Sequence, residues 1–107
     1  MEIDRWDVLL VNLDPTIGKE IKKTRPAIVV SPDEINHHWS PVVIVPLTSK
    51  LRDIDFRTHI TFQGIKGQAA IDQIKAIDKL RIVKRLGKLR AHDFRRLQED
   101  LLIFFGE

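Results

Sequence analysis

The chain has 107 residues, 43% hydrophobic and 31% charged, with a formal net charge of +3; this is the size of one domain, 1–107, with globular and not disordered usage. It has no cysteine, which excludes a disulfide scaffold, a zinc-thiolate site and a cysteine nucleophile. No apolar run approaches the roughly 20 residues of a bilayer span, and the Met-Glu-Ile-Asp start lacks a basic signal region, so a cytoplasmic protein with no membrane partner is expected.

Trp6 to Leu13 reads as a strand apolar on nearly both faces, hence central. Asp14 to Gly18 ends it with turn chemistry, and Lys19 to Thr24 reads as a polar, basic loop. Pro26 to Ser31 is a short β-branched strand. Pro32 to Pro41 reads as a loop holding Asn36, His37, His38 and Trp39. Val42 to Thr48 is the most strand-like segment, with Pro46 implying a bulge or an edge position. Arg57 to Phe62 alternates as a half-buried strand, with Arg57, His59 and Thr61 on its polar face. Gly64 and Gly67 mark a turn. Gln68 to Ile74 and Leu80 to Leu86 read as two more strands, with Ile77 to Lys79 between them and Gly87 breaking the pattern. From Ala91 to Phe105, the apolar Phe94, Leu97, Leu101 and Phe104/Phe105 fall on one helix face, stopped by Gly106. Short strands followed by a terminal helix predict a mainly β fold, a small β-barrel with one helix packed on it.

The charge is unevenly placed. Lys19, Lys22, Lys23 and Arg25 crowd one segment, and Lys79, Arg81, Lys84, Arg85, Lys88 and Arg90 form a second basic run. A polyanion partner is one reading and a solvated surface the other. The four histidines have no spacing that favours an acid–base pair, and no carboxylate–histidine pattern suggests a metal, so no metal and no cofactor are expected. Two segments carry more information. Gly18-Lys19-Glu20 leads through a basic loop to Arg25 at the start of a buried strand, where a guanidinium can fork onto phosphate. Thr48, Ser49 and Lys50 end the most apolar strand with two hydroxyls and a cation, where a site is commonly built. Taken singly, each segment also reads as ordinary loop and turn chemistry.

Together they resemble a family. Asp7-Val8, Asn12-Leu13-Asp14-Pro15-Thr16, Gly18 and Glu20 are followed by Arg25-Pro26-Ala27-Ile28-Val29-Val30-Ser31-Pro32, then Asn36, then Val43-Ile44-Val45-Pro46-Leu47-Thr48-Ser49, and then Asp72-Gln73-Ile74-Lys75-Ala76-Ile77-Asp78. This order resembles the MazF/PemK toxins of bacterial toxin–antitoxin systems over essentially the whole chain, including Gly87-Lys88-Leu89 and the last helix. The resemblance implies an SH3-like β-barrel with a C-terminal helix that forms a homodimer. It implies a metal-independent endoribonuclease for single-stranded RNA, mostly mRNA, which leaves a 2′,3′-cyclic phosphate and a 5′-hydroxyl. It also implies a cognate antitoxin with an acidic, disordered segment that lies over the loop and Arg25.

Under that resemblance Arg25 and Thr48 match the family's catalytic arginine and threonine. Gly18 and Glu20 lie in the loop beside the RNA groove, and Asp72 and Gln73 match a motif that contributes to it. Lys19, Lys22, Lys23 and Ser49 are expected to bind RNA. A guanidinium holds its proton through the working pH range and is a poor base, so Arg25 is assigned mainly to electrostatic stabilisation, with protonation of the leaving oxygen as a secondary role. For the general base, Glu20 is a candidate by residue type and Asp72 by motif. Three positions depart from the family. Some relatives carry an arginine two residues before the Asp-Gln pair, proposed there as an acid, where this chain has Ala70. Ile21 stands where a Gln often follows the loop Glu, and Arg90 stands where Ser or Thr often caps the last helix. The competing reading is a CcdB-like, non-enzymatic toxin that binds DNA gyrase.

Overall fold

The computed structural model describes residues 2–15, 17–18, 20–21 and 23–106. The elements run β1 Asp7–Asn12, β2 Thr24–Val29, α1 Asp33–His38, β3 Val42–Thr48, β4 Arg57–Phe62, β5 Ile65–Ala70, β6 Lys75–Ile77, β7 Ile82–Lys88 and α2 Ala91–Phe105. Every strand pairing is antiparallel, in the order β4-β5-β3-β2-β1-β7, with β6 on the free half of β3. This is the mainly β, barrel-like architecture with a C-terminal helix that the sequence predicts. Among the described residues no backbone ladder joins β4 to β7, and side chains span the gap instead. Gln63 Nε2 donates to the Leu86 carbonyl at 3.0 Å, and the Phe62 ring lies against Gly87 so closely that a Cβ there would meet Phe62 Cζ at 3.1 Å.

The central strands are apolar on both faces because both faces are covered. Val8, Ile28, Val45, Leu47, Ala69 and Leu97 belong to one cluster, and Leu9, Val11, Ala27, Val29, Val42 and Ile44 to the other. Helix α2 lays Leu97, fully buried, on the first cluster, and its Phe94 ring stacks on Trp6 at 5.3 Å. Its start lacks a side-chain cap. Arg90 instead donates to Asp93 at 3.1–3.2 Å, as expected of a chain without Ser or Thr there.

Several local expectations shift. The segment after Pro32 is not all loop: it holds α1, with Asp33 and Glu34 in its first turn and the two histidines in its last, favourable to the helix dipole. A helix of six residues is too short to show a period. Ser31 and Asn36 lock this turn by exchanging side-chain and backbone bonds. Gly67 lies inside β5, and the two-residue turn is Gln63-Gly64, both at positive φ. After Ala70 the chain leaves the ladder through a 3-10 turn, Ile71–Gln73, so Asp72 and Gln73 stand on a turn and not on a strand. A second 3-10 turn, Lys79–Arg81, precedes β7, which runs through Gly87. Pro46 sits inside a central strand. Its missing N–H is tolerated where β3 changes partner on one side, from β6 at Ile44 to β5 at Leu47, while β2 pairs the other side.

Candidate active site

Sheet register explains why the site lies where it does, since cross-strand partners share a face and side chains repeat every second residue. Ala27 pairs with Pro46 at the end of the β2–β3 ladder, and the same register continued two residues further sets Arg25 of β2 beside Thr48 of β3. Thr48 pairs with Gln68 of β5, which pairs with His59 of β4. The neighbouring row is Ala27, Pro46, Ala70 and Arg57. Its first three members are small and buried, which leaves room above them for the long fourth.

A cleft of about 380 Å3 opens over these rows. It is lined by Lys23, Arg25, Lys50, Arg52 and Arg57, by the hydroxyls of Thr48 and Ser49, and by Glu20, Ile21 and Gln73. Among the described residues, five cations and one carboxylate line it. Thr48 is nearly buried, and its Oγ1 accepts the Lys50 backbone N–H at 3.1 Å, which leaves its own proton for a ligand. A second hollow of about 310 Å3, walled by Pro26, Leu47, Phe62, Ile65 and Leu86, shares Arg25, Thr48 and Ser49 with the cleft. These three residues therefore stand between a charged and an apolar depression.

Loops reach the cleft under restraint. Glu20 Oε1 accepts the Ile17 N–H at 2.7 Å, and Gln73 Oε1 accepts the Ile21 N–H at 2.6 Å. Asp14 Oδ1 accepts from the Lys23 N–H at 2.8 Å. The segment after β3 is pinned by buried Gln68, which accepts from the Arg52 N–H and donates to its carbonyl.

The structure brings Arg25, Thr48, Ser49, Glu20, Lys23 and Gln73 together in the cleft lining. Lys19 and Lys22 lie outside the described residues. Asp72 does not line the cleft; it borders an adjoining hollow with Glu20 and Gln73 and reaches the cleft through Arg57. Both Asp72 oxygens accept from that guanidinium, Nε to Oδ1 and Nη2 to Oδ2, each at 3.0 Å. Arg57 is the residue that the sequence reading missed. Alternation put it on the outer polar face with His59 and Thr61, yet it is 9% exposed while they are open. Strand alternation says which residues share a face, not which end of that face another segment covers.

The second basic run is largely committed inside the molecule. Lys79 bonds the Asn36 carbonyl, Arg81 the carbonyls of Asn12 and Asp14, and Arg90 the Asp93 carboxylate. Arg85 and Lys88 flank the fully buried carboxylate of Asp7. Neutralising that carboxylate accounts for two cations that composition alone would offer to a polyanion.

Comparison with known proteins agrees with this geometry. A family model described as PemK-like, MazF-like toxin of type II toxin-antitoxin system matches residues 4–105. The chain is 36% identical over 94 residues to Endoribonuclease PemK of Escherichia coli, covering 82% of this chain and 71% of that protein. The fold resembles crystalline MazF from Deinococcus radiodurans, with a TM-score of 0.87 and 23% identity over 100% of this chain and 99% of that one. It also resembles a mycobacterial endoribonuclease in complex with its cognate antitoxin, with a TM-score of 0.81 and 20% identity over 98% of each chain. Residue order, strand architecture and family match converge: this chain belongs to the PemK-like, MazF-like toxins of type II toxin–antitoxin systems.

Proposed function

We propose that this protein is a sequence-selective endoribonuclease that cuts single-stranded RNA in the cytoplasm, without a metal, as one domain per chain. The observation that carries the reading is the cleft in which Arg25 and Thr48 stand side by side among five cations. In the reaction the 2′-hydroxyl oxygen bonds to the adjacent phosphorus as the bond from phosphorus to the 5′-oxygen breaks. The hydroxyl proton passes to a base, and the departing 5′-oxygen takes up a proton. The products are a 2′,3′-cyclic phosphate and a 5′-hydroxyl. Negative charge grows on the phosphoryl oxygens, and preorganised donors there lower the barrier. Arg25 supplies a guanidinium and Thr48 a hydroxyl proton that no side chain among the described residues takes. A lining so rich in cations, with one carboxylate, suits a phosphodiester far better than a divalent cation. Glu20 is the carboxylate on that lining; its Oε1 holds the Ile17 N–H, so Oε2 is the atom assigned to the 2′-hydroxyl proton.

The same cations suit an acidic antitoxin segment, which would order on the protein and exclude RNA by competition. Lys23 lines this cleft, and Lys19 and Lys22 are its neighbours in the sequence. For single strands the slope of log affinity against log salt is about −0.7 per phosphate contacted. Replacing the three lysines with Gln is therefore expected to weaken both ligands and flatten both salt dependences.

The test is incubation of purified RNA with the protein in EDTA, followed by sequencing of the 5′-hydroxyl ends. Cleavage at short recurring sequences supports the reading. Growth arrest with RNA intact would instead favour the non-enzymatic, gyrase-binding alternative.

A further inference from the structure

We infer that Arg57 is a second catalytic guanidinium of this cleft, aimed at the bound phosphate by Asp72, and that Asp72 is its positioning residue and not the base. The inference rests on the RNA-cleavage reading and deepens it.

Four observations carry it. Arg57 shares the cleft lining with Arg25, Thr48 and Ser49. It comes from the end of β4, and register places it in the row of Ala27, Pro46 and Ala70, the row next to Arg25 and Thr48. Its cross-strand partner is Ala70, a methyl group, so nothing on β5 stands between the Arg57 stem and the cleft. The fourth is the fork. Asp72 takes Nε and Nη2 in a two-bond grip, and among the described residues no partner takes Nη1. A guanidinium gripped along one edge presents its remaining N–H groups in a fixed direction. Here that edge belongs to a side chain only 7% exposed, so little solvent competes for it.

A surface arginine would lose rotamer freedom on meeting a phosphate; Arg57 has already lost it. The same grip removes Asp72 from the proton transfer, because both its oxygens are occupied by donors and it stands outside the cleft lining. The chain therefore supplies, from β4 across the sheet, a cation that position 70 does not.

The experiment compares wild type, Arg57→Lys and Asp72→Asn in single-turnover cleavage at saturating RNA across pH. Affinity is read separately with an oligonucleotide carrying a single 2′-deoxy substitution at the scissile nucleotide, which binds but cannot react. Circular dichroism and thermal melts check folding. Arg57→Lys keeps the charge but loses the fork, and is expected to lower the cleavage rate roughly 10²-fold while changing the affinity of the uncleavable strand far less. Asp72→Asn keeps the shape and one acceptor oxygen; it is expected to fall less than Arg57→Lys and to keep the wild-type pH profile. Folded Arg57→Lys that cleaves at the wild-type rate would overturn the inference. So would an Asp72→Asn enzyme that loses the ionisation on the acid limb of its profile, since that limb would then belong to Asp72 as base. If Arg57→Lys does not fold, Asp72→Asn decides alone: a reduced rate with an unchanged profile supports the positioning role, and a wild-type rate overturns it. Wild type that leaves RNA intact would sink the parent reading itself, an outcome distinct from active wild type with indifferent Arg57.

Discussion

Gln73 and Ile21 are joined across 52 residues of sequence: the Gln73 side-chain carbonyl accepts the Ile21 backbone N–H at 2.6 Å. This bond ties the loop carrying Glu20 to the turn carrying Asp72, and its two partners, Gln73 and Ile21, line the cleft. Gln73→Met keeps the bulk and removes the acceptor. A neutral bond of this kind contributes about 1 kcal/mol. The Ile21 amide is expected to exchange with solvent several-fold faster and RNA affinity to weaken, with the melting temperature lowered by about 4 °C. Amide exchange by NMR checks it.

Arg25→Ala and Thr48→Ala are each expected to lower single-turnover cleavage by roughly 10²–10³, the usual loss for one preorganised donor. Arg25→Lys rescues poorly because an ammonium lacks the fork. Circular dichroism serves as the folding control. Folded Arg25→Ala with normal cleavage would remove this mechanism.

Gly67 is needed for close approach. A Cβ there would stand 2.9 Å from the Thr48 carbonyl oxygen, a backbone atom that cannot rotate away. Gly67→Ala is expected to push β5 off the end of β3, destabilising the protein by about 1–3 kcal/mol and slowing cleavage through displaced Thr48. Denaturant unfolding and cleavage rates measure the two effects together.

His37 gives a pH dependence outside the cleft. Its Nε2 lies 2.8 Å from Asp4 Oδ1, and that hydrogen bond, with Glu2 and Asp33 nearby, raises its pKa above the ordinary 6.5. A group raised on folding stabilises most below its unfolded value, and the contribution fades as pH rises through the folded one. Asp33 moves the other way, lowered chiefly by the Arg5 backbone N–H, so its contribution is lost as pH falls below 3.8 through the depressed value. Thermal melts of His37→Gln are expected to lose the part of the wild-type pH dependence that lies above 6.5. An NMR titration placing His37 at or below 6.5 would contradict it.

Helix α2 leaves Leu102, Ile103 and Phe105 widely exposed, and Phe104 meets Phe56 edge to face at 5.7 Å. So much apolar surface on a small chain suits a second copy. Sedimentation at micromolar concentration is expected to give a homodimer, with its two copies jointly forming the RNA groove. Monomers that retain activity would contradict it.

Much of the fold is legible in the residues alone. The 3.6-residue period from Ala91 to Phe105 specifies both ends of α2, because a long amphipathic segment carries its own signal. The alternation of Arg57 to Phe62 specifies β4 in the same way. Helix α1 was not legible, since its six residues show no period and its anchor is the Ser31–Asn36 exchange.

What the chain order determined by itself was a mainly β fold and a family; the cleft that Arg25 and Thr48 both line came with the fold. Tertiary structure decided how the charges are used. Local sequence shows that Arg85 and Lys88 are cationic, but only folding sets them beside the buried Asp7 carboxylate, where they neutralise it. It shows Arg57 as one polar residue in an alternating strand, but only the antiparallel register sets that strand end opposite Ala70 and beneath the turn that carries Asp72. The physical reason is range: strand and helix periods arise from neighbours a few residues apart, whereas the partner of a charge is chosen by contacts between segments distant along the chain.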